Sequence, residues 1–330
     1  MATRKNTKDL FELLRRSLIG FCVSCAFLCT ALGQTKGDPN KFALIINGAG
    51  GEAIYGKQFE EWTGQLSSAL SSRFGFDAKQ LTLLRNATAE DVKRTFTTLK
   101  TQLDANNVLF VFLIGHGSYD GKESKFNLVG PDLSASEYNA MLSALPTHRV
   151  VVLNMSSASG EFIKSLAAKG RIIVTATKSG QETNATRFPG FFISALTAKD
   201  ADTDQDGHTS VLEAFVYANR LTADFYKQAG RLATEHAMFD DNGDGVGHEK
   251  LEAGEGLLAR ATYLDSLSVD EAAATAATGR LLKERTRLEG EIEQLIARKS
   301  SMAEAEYEAT LERLFIELAK VNRSIKQAGS

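Results

Sequence analysis

Asp202, Asp204 and Asp206 stand at alternate positions, and Gly207, His208, Ser210 and Glu213 follow them. Calcium binds through several hard oxygens, and one well-known loop supplies them from positions 1, 3, 5, 7, 9 and 12, with glycine at position 6. Asp202–Glu213 fits that pattern throughout: Asp at 1, 3 and 5, Gly at 6, His208 at 7, Ser210 at 9 and Glu213 at 12. A glutamate at position 12 can give two oxygens, so the segment is expected to bind a structural Ca2+ ion, at the ~0.1–1 mM affinity of extracellular modules. Asp240-Asp241-Asn242-Gly243-Asp244-Gly245 is a weaker echo. Counted from Asp240, with Asn242 and Asp244, positions 1, 3, 5 and 6 fit, but position 12 is Leu251, which has no oxygen to offer. His236 and His248 lie nearby without a metal-ligand spacing to a second histidine or cysteine, which argues against zinc.

A second set of reactive residues follows two apolar runs. Val111-Phe112-Leu113-Ile114 leads into Gly115-His116-Gly117-Ser118, with small residues on both sides of the histidine, so that backbone can approach a ligand there. Val152-Leu153-Asn154-Met155 leads into Ser156-Ser157-Ala158-Ser159-Gly160, and backbone N–H groups at such a turn can form an oxyanion hole. The paired motifs raise His116 above a lone structural histidine.

A buried strand ending in His-Gly, then a second ending in Cys-x-Ser-Gly, marks the caspase/legumain superfamily of cysteine peptidases. The chain resembles that superfamily over about Phe42–Leu251, and is most similar to its secreted bacterial legumain-like branch. The run Ile173–Gly180 resembles the strand and loop that come next in the family. The resemblance implies a caspase-like three-layer sandwich. It implies His116 as the catalytic histidine, Gly117 as the oxyanion-hole backbone, and Ser157 in the place of the nucleophilic cysteine. That replacement matters. A thiol with a pKa near ~8.5 is already partly thiolate at neutral pH, whereas a serine hydroxyl needs a base within hydrogen-bond reach and a group orienting that base. Asp120 and Asp132 are near His116 in sequence only. The first expectation is a pseudopeptidase that holds a peptide or protein in the strand-end cleft. The alternatives are a serine-type peptidase using Ser157 and His116, and a scaffold acting through the C-terminal segment.

The elements that would position these residues alternate. Phe42–Ile46, Leu81–Leu84, Val108–Ile114, Arg149–Leu153 and Ile172–Ala176 read as strands; Lys57–Phe74, Thr88–Leu103, Ser136–Leu145, Glu161–Ala168 and Gly190–Ala198 read as helices. Thr88 is an N-cap, with Glu90 and Asp91 in the first turn. Such alternation predicts an α/β fold with a mainly parallel sheet covered on both faces, and ligands then bind at the carboxyl ends of the strands. Val211–Leu221 is expected to be a helix following the calcium loop. Residues 270–327 read as a helical hairpin with a coiled-coil-like seam. Leu288, Ile292 and Leu295 form one run, Tyr307, Leu311, Leu314, Leu318, Val321 and Ile325 the other, and Ser301 with Glu304 makes a capping box. The seam suits packing on itself or self-association.

Residues 1–33 have the layout of a secretory signal: Arg4, Lys5, Lys8, Arg15 and Arg16, then the uncharged Ser17–Leu32, then Ala31-Leu32-Gly33 with cleavage expected before Gln34. All three cysteines, Cys22, Cys25 and Cys29, lie inside it. The mature chain would have no thiol and no disulfide, and would be secreted or periplasmic. It would carry 33 Lys+Arg against 39 Asp+Glu, a net charge of −6, which argues against nucleic-acid and anionic-membrane partners.

Overall fold

Residues 37–204, 207–251 and 255–265, and with gaps 281–328, are described in a computed structural model. The expected signal, Met1–Gly33, lies outside these residues, as do Asp206, Ser301 and residues 270–280 of the expected hairpin. Everything described belongs to the unit Thr35–Ser330.

The seven residues of β3 (Val108–Ile114) are all buried. An uninterrupted apolar strand needs cover on both faces, and β3 gets it. Phe110, Phe112 and Ile114 point into one core, and Leu109, Val111 and Leu113 into the other. Around it lie β1 (Lys41–Asn47), β2 (Leu81–Leu84), β7 (Arg149–Asn154), β8 (Arg171–Thr175) and β9 (Met238–Asp240). The order is β2-β1-β3-β7-β8-β9, parallel throughout except for β9, which pairs antiparallel with β8. The antiparallel edge strand was not foreseen. Three residues next to an acidic turn give too little periodicity to read.

One core lies under α1 (Ala53–Ser68), α5 (Phe188–Ala195) and α6 (Val211–Gln228), built around Phe59, Trp62, Phe188, Phe192 and Phe215. The opposite core lies under α2 (Ala89–Gln102), α3 (Ala135–Ser143) and α4 (Glu161–Leu166), with Phe96, Tyr138 and Phe162 at its centre. The result is an α/β protein with helices on both faces of a mostly parallel six-stranded sheet. A small antiparallel sheet, β4 (Gly117–Tyr119), β5 (Ser124–Phe126) and β6 (Leu133–Ser134), inserts after β3.

Local chemistry sets the helix starts. Thr88 caps α2 in a reciprocal box with Asp91, and Ser134 caps α3 with Glu137. The first helix begins four residues before the expected Lys57, and its last turn, Ala69–Arg73, is a π-helical turn. Helix α5 starts at Phe188 rather than Gly190, because Pro189 suits a first turn, where no N–H is needed. Helix α6 runs on to Gln228, past the expected Leu221.

The C-terminal seam closes mainly on itself: Leu288, Ile292, Leu295, Tyr307 and Leu314 form a separate apolar cluster with Leu311, Leu318 and Val321 against it. Its second arm is α8 (Glu304–Ala328), the helix that follows the short α7 (Leu257–Arg260) among the fully described elements. No helix among the described residues is long and apolar enough to cross a membrane.

Phe112 is fully buried in the central strand. Phe112→Ala is expected to lower the unfolding free energy by about 3–5 kcal/mol, combining lost transfer energy with an unfilled cavity. Urea denaturation followed by tryptophan fluorescence measures it, and a loss below ~1 kcal/mol would contradict this packing.

Candidate functional site

The register of the sheet brings the reactive loops together. Asn47 pairs with Ile114, Leu113 with Asn154, and Asn154 with Thr175, so four strands end at nearly one level. From β1 the chain adds β2 on one side and β3, β7 and β8 on the other, and crevices for ligands form at such a switch point between β1 and β3. His116 stands two residues past β3, beside the Gly48–Gly51 loop; a methyl group on Gly51 would lie 3.7 Å from its ring. Ser157 follows β7.

The His116 ring is turned into an aromatic corner. It meets Phe59 edge-on at 4.9 Å between centroids and Tyr55 at 5.1 Å. Burial holds its pKa below the ordinary histidine value, opposed by a hydrogen bond to the Gly50 backbone and by the charge of Glu52.

The Ser157 hydroxyl is occupied elsewhere. Its Oγ accepts from the Gly117 N–H at 3.1 Å and donates to the Gly117 carbonyl at 3.2 Å. Among the described residues no hydrogen bond joins Ser157 to His116. Ser157 is 2% exposed, and Gly117 is pressed so close that a Cβ there would fall 2.2 Å from the Ser157 carbonyl oxygen. The structure therefore brings Ser157 and Gly117 together and leaves the His116 ring packed against Tyr55 and Phe59. Ala158 takes a φ of +51°, uncommon for a residue with a side chain, and its N–H donates to Glu182 O at 2.7 Å. The N–H groups of Ser159 and Gly160 both go to Thr177 Oγ1, at 2.8 and 3.1 Å. The N–H groups of Gly117, Ala158, Ser159 and Gly160 are thus already taken within the fold.

Neither nearby aspartate stands behind the histidine. Asp120 accepts the Lys122 and Glu123 N–H groups in the β4–β5 turn and pairs with Lys125; these contacts hold its carboxyl down at about 2. Asp132 accepts from the Leu128 N–H. A histidine–carboxylate pair does exist, but with another histidine: His236 Nδ1 lies 2.5 Å from Glu182 Oε1. Spacing cannot reveal it, because 54 residues separate the partners.

The two acidic loops each gather three carboxylates. Ligand atoms of Asp202, Asp204 and Glu213 all lie within 4.8 Å of one another. Gly207, with φ at +93°, turns its N–H to Asp202 at 3.0 Å. Glu213 Oε1 accepts from the Thr203 N–H at 2.9 Å, while Oε2 accepts from the Ser210 N–H and hydroxyl, both at 2.9 Å. Ser210 caps α6 in a box with Glu213, so its hydroxyl serves the helix start. The His208 ring turns to Asp265, with Nδ1 2.5 Å from Oδ2.

The second loop holds a residue that spacing missed. Asp240 and Asp244 come within 4.8 Å of Glu255, fifteen residues past Asp240, where Leu251 had left the pattern open. Asn242 Nδ2 donates to both Asp244 and Glu255. Asp240 accepts the Gly243 and Gly245 N–H groups at 2.7 and 2.9 Å. Asp240 and Glu255 are almost fully buried, and burial raises both carboxyls above the usual range; Asp241 adds to the rise at Glu255. Buried carboxylates this close need a proton, an N–H or a cation between them.

No family model matches the chain, and no curated protein is significantly similar to it.

A depressed histidine pKa favours the folded state above the unfolded value, ~6.5, and that contribution is lost as pH falls through it toward the folded value. His116→Gln removes the group. The difference in stability between the two proteins is therefore expected to shrink as pH is lowered from ~7.5 to ~5. Urea midpoints at several pH values check this, and a difference that widened toward acid would contradict the burial of a neutral ring.

Proposed function

We propose that this chain is an exported, calcium-binding relative of the caspase/legumain peptidases that has given up hydrolysis and keeps the strand-end surface for holding a peptide or protein. The observation that carries this reading is the Ser157 hydroxyl, tied on both its donor and acceptor sides to the Gly117 peptide. A serine nucleophile needs a base on its proton and free donors waiting for the oxyanion. Here the nearest histidine ring is set among Tyr55, Phe59 and Gly50, and the Gly117 N–H points at the serine itself. The element order and the two strand-end motifs support the caspase-like fold. Among the described residues, the serine-hydrolase alternative has no hydrogen bond from Ser157 to His116 and none from a carboxylate to the His116 ring.

A serine-reactive fluorophosphonate is expected to leave Ser157 unlabelled in the presence of millimolar calcium, while Ser157→Ala costs about 1–3 kcal/mol of stability, because the Gly117 N–H is left without a partner. Stoichiometric labelling of Ser157, detected by peptide mass spectrometry, would restore the hydrolase reading.

The calcium assignment rests on the three carboxylates of the 202–213 loop and on the fit of its glycine and glutamate to the ion's demands. The same ion chemistry extends to the 240–244 loop once Glu255 supplies the carboxylate that Leu251 cannot. Calorimetric titration of chelator-treated protein is expected to show calcium uptake that Glu213→Gln removes from the first loop and Glu255→Gln from the second. An unchanged isotherm in Glu213→Gln would end the assignment of the first loop.

A further inference from the structure

Arg285 is buried, with 7% of its surface exposed, in the first arm of the C-terminal hairpin. A buried guanidinium is costly unless it is paired and hydrogen-bonded, so its partners say why it is there. Its Nη1 lies 3.6 Å from Asp204 Oδ2, and its Nη2 donates to the Tyr263 hydroxyl at 3.2 Å. Tyr263 is itself fixed to the acidic loop. It forms an antiparallel bridge with Ser210, the neighbouring Val211 N–H donates to Thr262 O at 2.9 Å, and the Tyr263 ring meets His208 edge-on at 5.9 Å. Hairpin and loop also share the walls of a half-open cavity of about 360 Å³, with Thr203, Asp204 and Glu213 on one side and Ile292, Phe315 and Leu318 on the other.

Resting on the calcium reading of the 202–213 loop, we propose that Arg285 is the loop's resident counter-cation, so that calcium binding and docking of the C-terminal hairpin oppose one another. Both cations draw on the Asp204 carboxylate. A calcium ion held by Asp202, Asp204 and Glu213 adds two positive charges within a few ångströms of the guanidinium, and like charges that close repel strongly in a partly buried site. Arg285 therefore weakens calcium binding, and calcium by reciprocity weakens the grip of Arg285 on Asp204. The loop reports its occupancy to the hairpin, and the hairpin sets the calcium concentration at which the loop fills. An arginine suits the task because its charge is permanent and its planar fork spans two acceptors at once.

The test is calorimetric calcium titration of the whole chelator-treated mature protein beside Arg285→Gln, both carrying Glu255→Gln to silence the second loop, with hydrogen–deuterium exchange of residues 304–328 at zero and saturating calcium. Arg285→Gln is expected to bind calcium on the order of tenfold more tightly, within the usual span of coupling between sites. Calcium is expected to speed exchange across 304–328 in the native protein and to leave it unchanged in Arg285→Gln. Native protein that binds calcium while Arg285→Gln binds with equal or lower affinity overturns the opposition and leaves the calcium site standing. Failure of both proteins to bind overturns the calcium reading and this proposal together. Binding by Arg285→Gln alone would be the extreme form of the expected result. Should Arg285→Gln not fold by circular dichroism, Tyr263→Phe releases one of the two anchors and is expected to raise calcium affinity severalfold; an unchanged affinity there overturns the proposal.

Discussion

Seven consecutive apolar residues, Val108–Ile114, can be satisfied only by protein on both sides, and the fold follows from that demand. A strand buried on both faces calls for a neighbour on each edge and a helical layer above and below. β1 and β7 supply the edges in parallel register, and their helices supply the layers. Parallel pairing has a further effect. It puts the ends of all the paired strands on one rim, so the residues just past β1, β3, β7 and β8 must share that rim whatever their chemistry. His116, Gly117 and Ser157 are neighbours because the core requires it, before any question of function arises.

Proximity is not catalysis. Catalytic hydroxyls depend on polar groups left unsatisfied until substrate arrives, and holding such groups open has a cost that the rest of the fold must offset. This rim shows the opposite arrangement. Ser157 closes on the Gly117 peptide, Ser159 and Gly160 close on Thr177, and Ala158 closes on Glu182. The chemistry of a hydroxyl helps explain why. It is a strong hydrogen-bond donor and acceptor. In a nearly dry pocket it takes the nearest backbone partners, and once it has them the surrounding loop gains rigidity at the expense of reactivity.

Local signals made the five parallel strands, the Thr88 cap and the carboxylates of the first acidic loop legible in the sequence. Leu81–Leu84 and Val108–Ile114 have the ends their apolar runs suggest, and Thr88 caps its helix with Asp91 because both lie within one turn. What escaped was set by chain geometry over long separations. β9 joins the sheet as a three-residue antiparallel edge, and its place depends on where α6 ends. Glu255 reaches the Asp240 loop from outside the twelve-residue window, which fixed spacing cannot see. The contact between Arg285 and Asp204 joins residues 81 positions apart. The direction of the His116 ring, which decides the chemistry, depends on Tyr55 and Phe59 in a helix whose start was placed too late.

The two acidic loops show how one electrostatic problem can be met in different ways. Each concentrates carboxylates where water is partly excluded, and such charge must be neutralised or dispersed. In the first loop, backbone N–H groups and hydroxyls coat both oxygens of Glu213, and a distant guanidinium settles on Asp204. In the second, the carboxyls are more deeply buried, and the partners are an asparagine amide, glycine N–H groups and the His248 ring, whose Nε2 lies 3.5 Å from Glu255. Amides and N–H groups disperse charge without cancelling it, which is why burial drives these carboxyls toward holding a proton. On the calcium reading proposed above, a proton and a divalent cation would be rivals at the second loop, as a guanidinium and a divalent cation would be at the first. Both loops lie C-terminal to the strand-end rim in the chain. Arg285 joins Asp204 of the first loop to Tyr263 and the hairpin, away from His116 and Ser157.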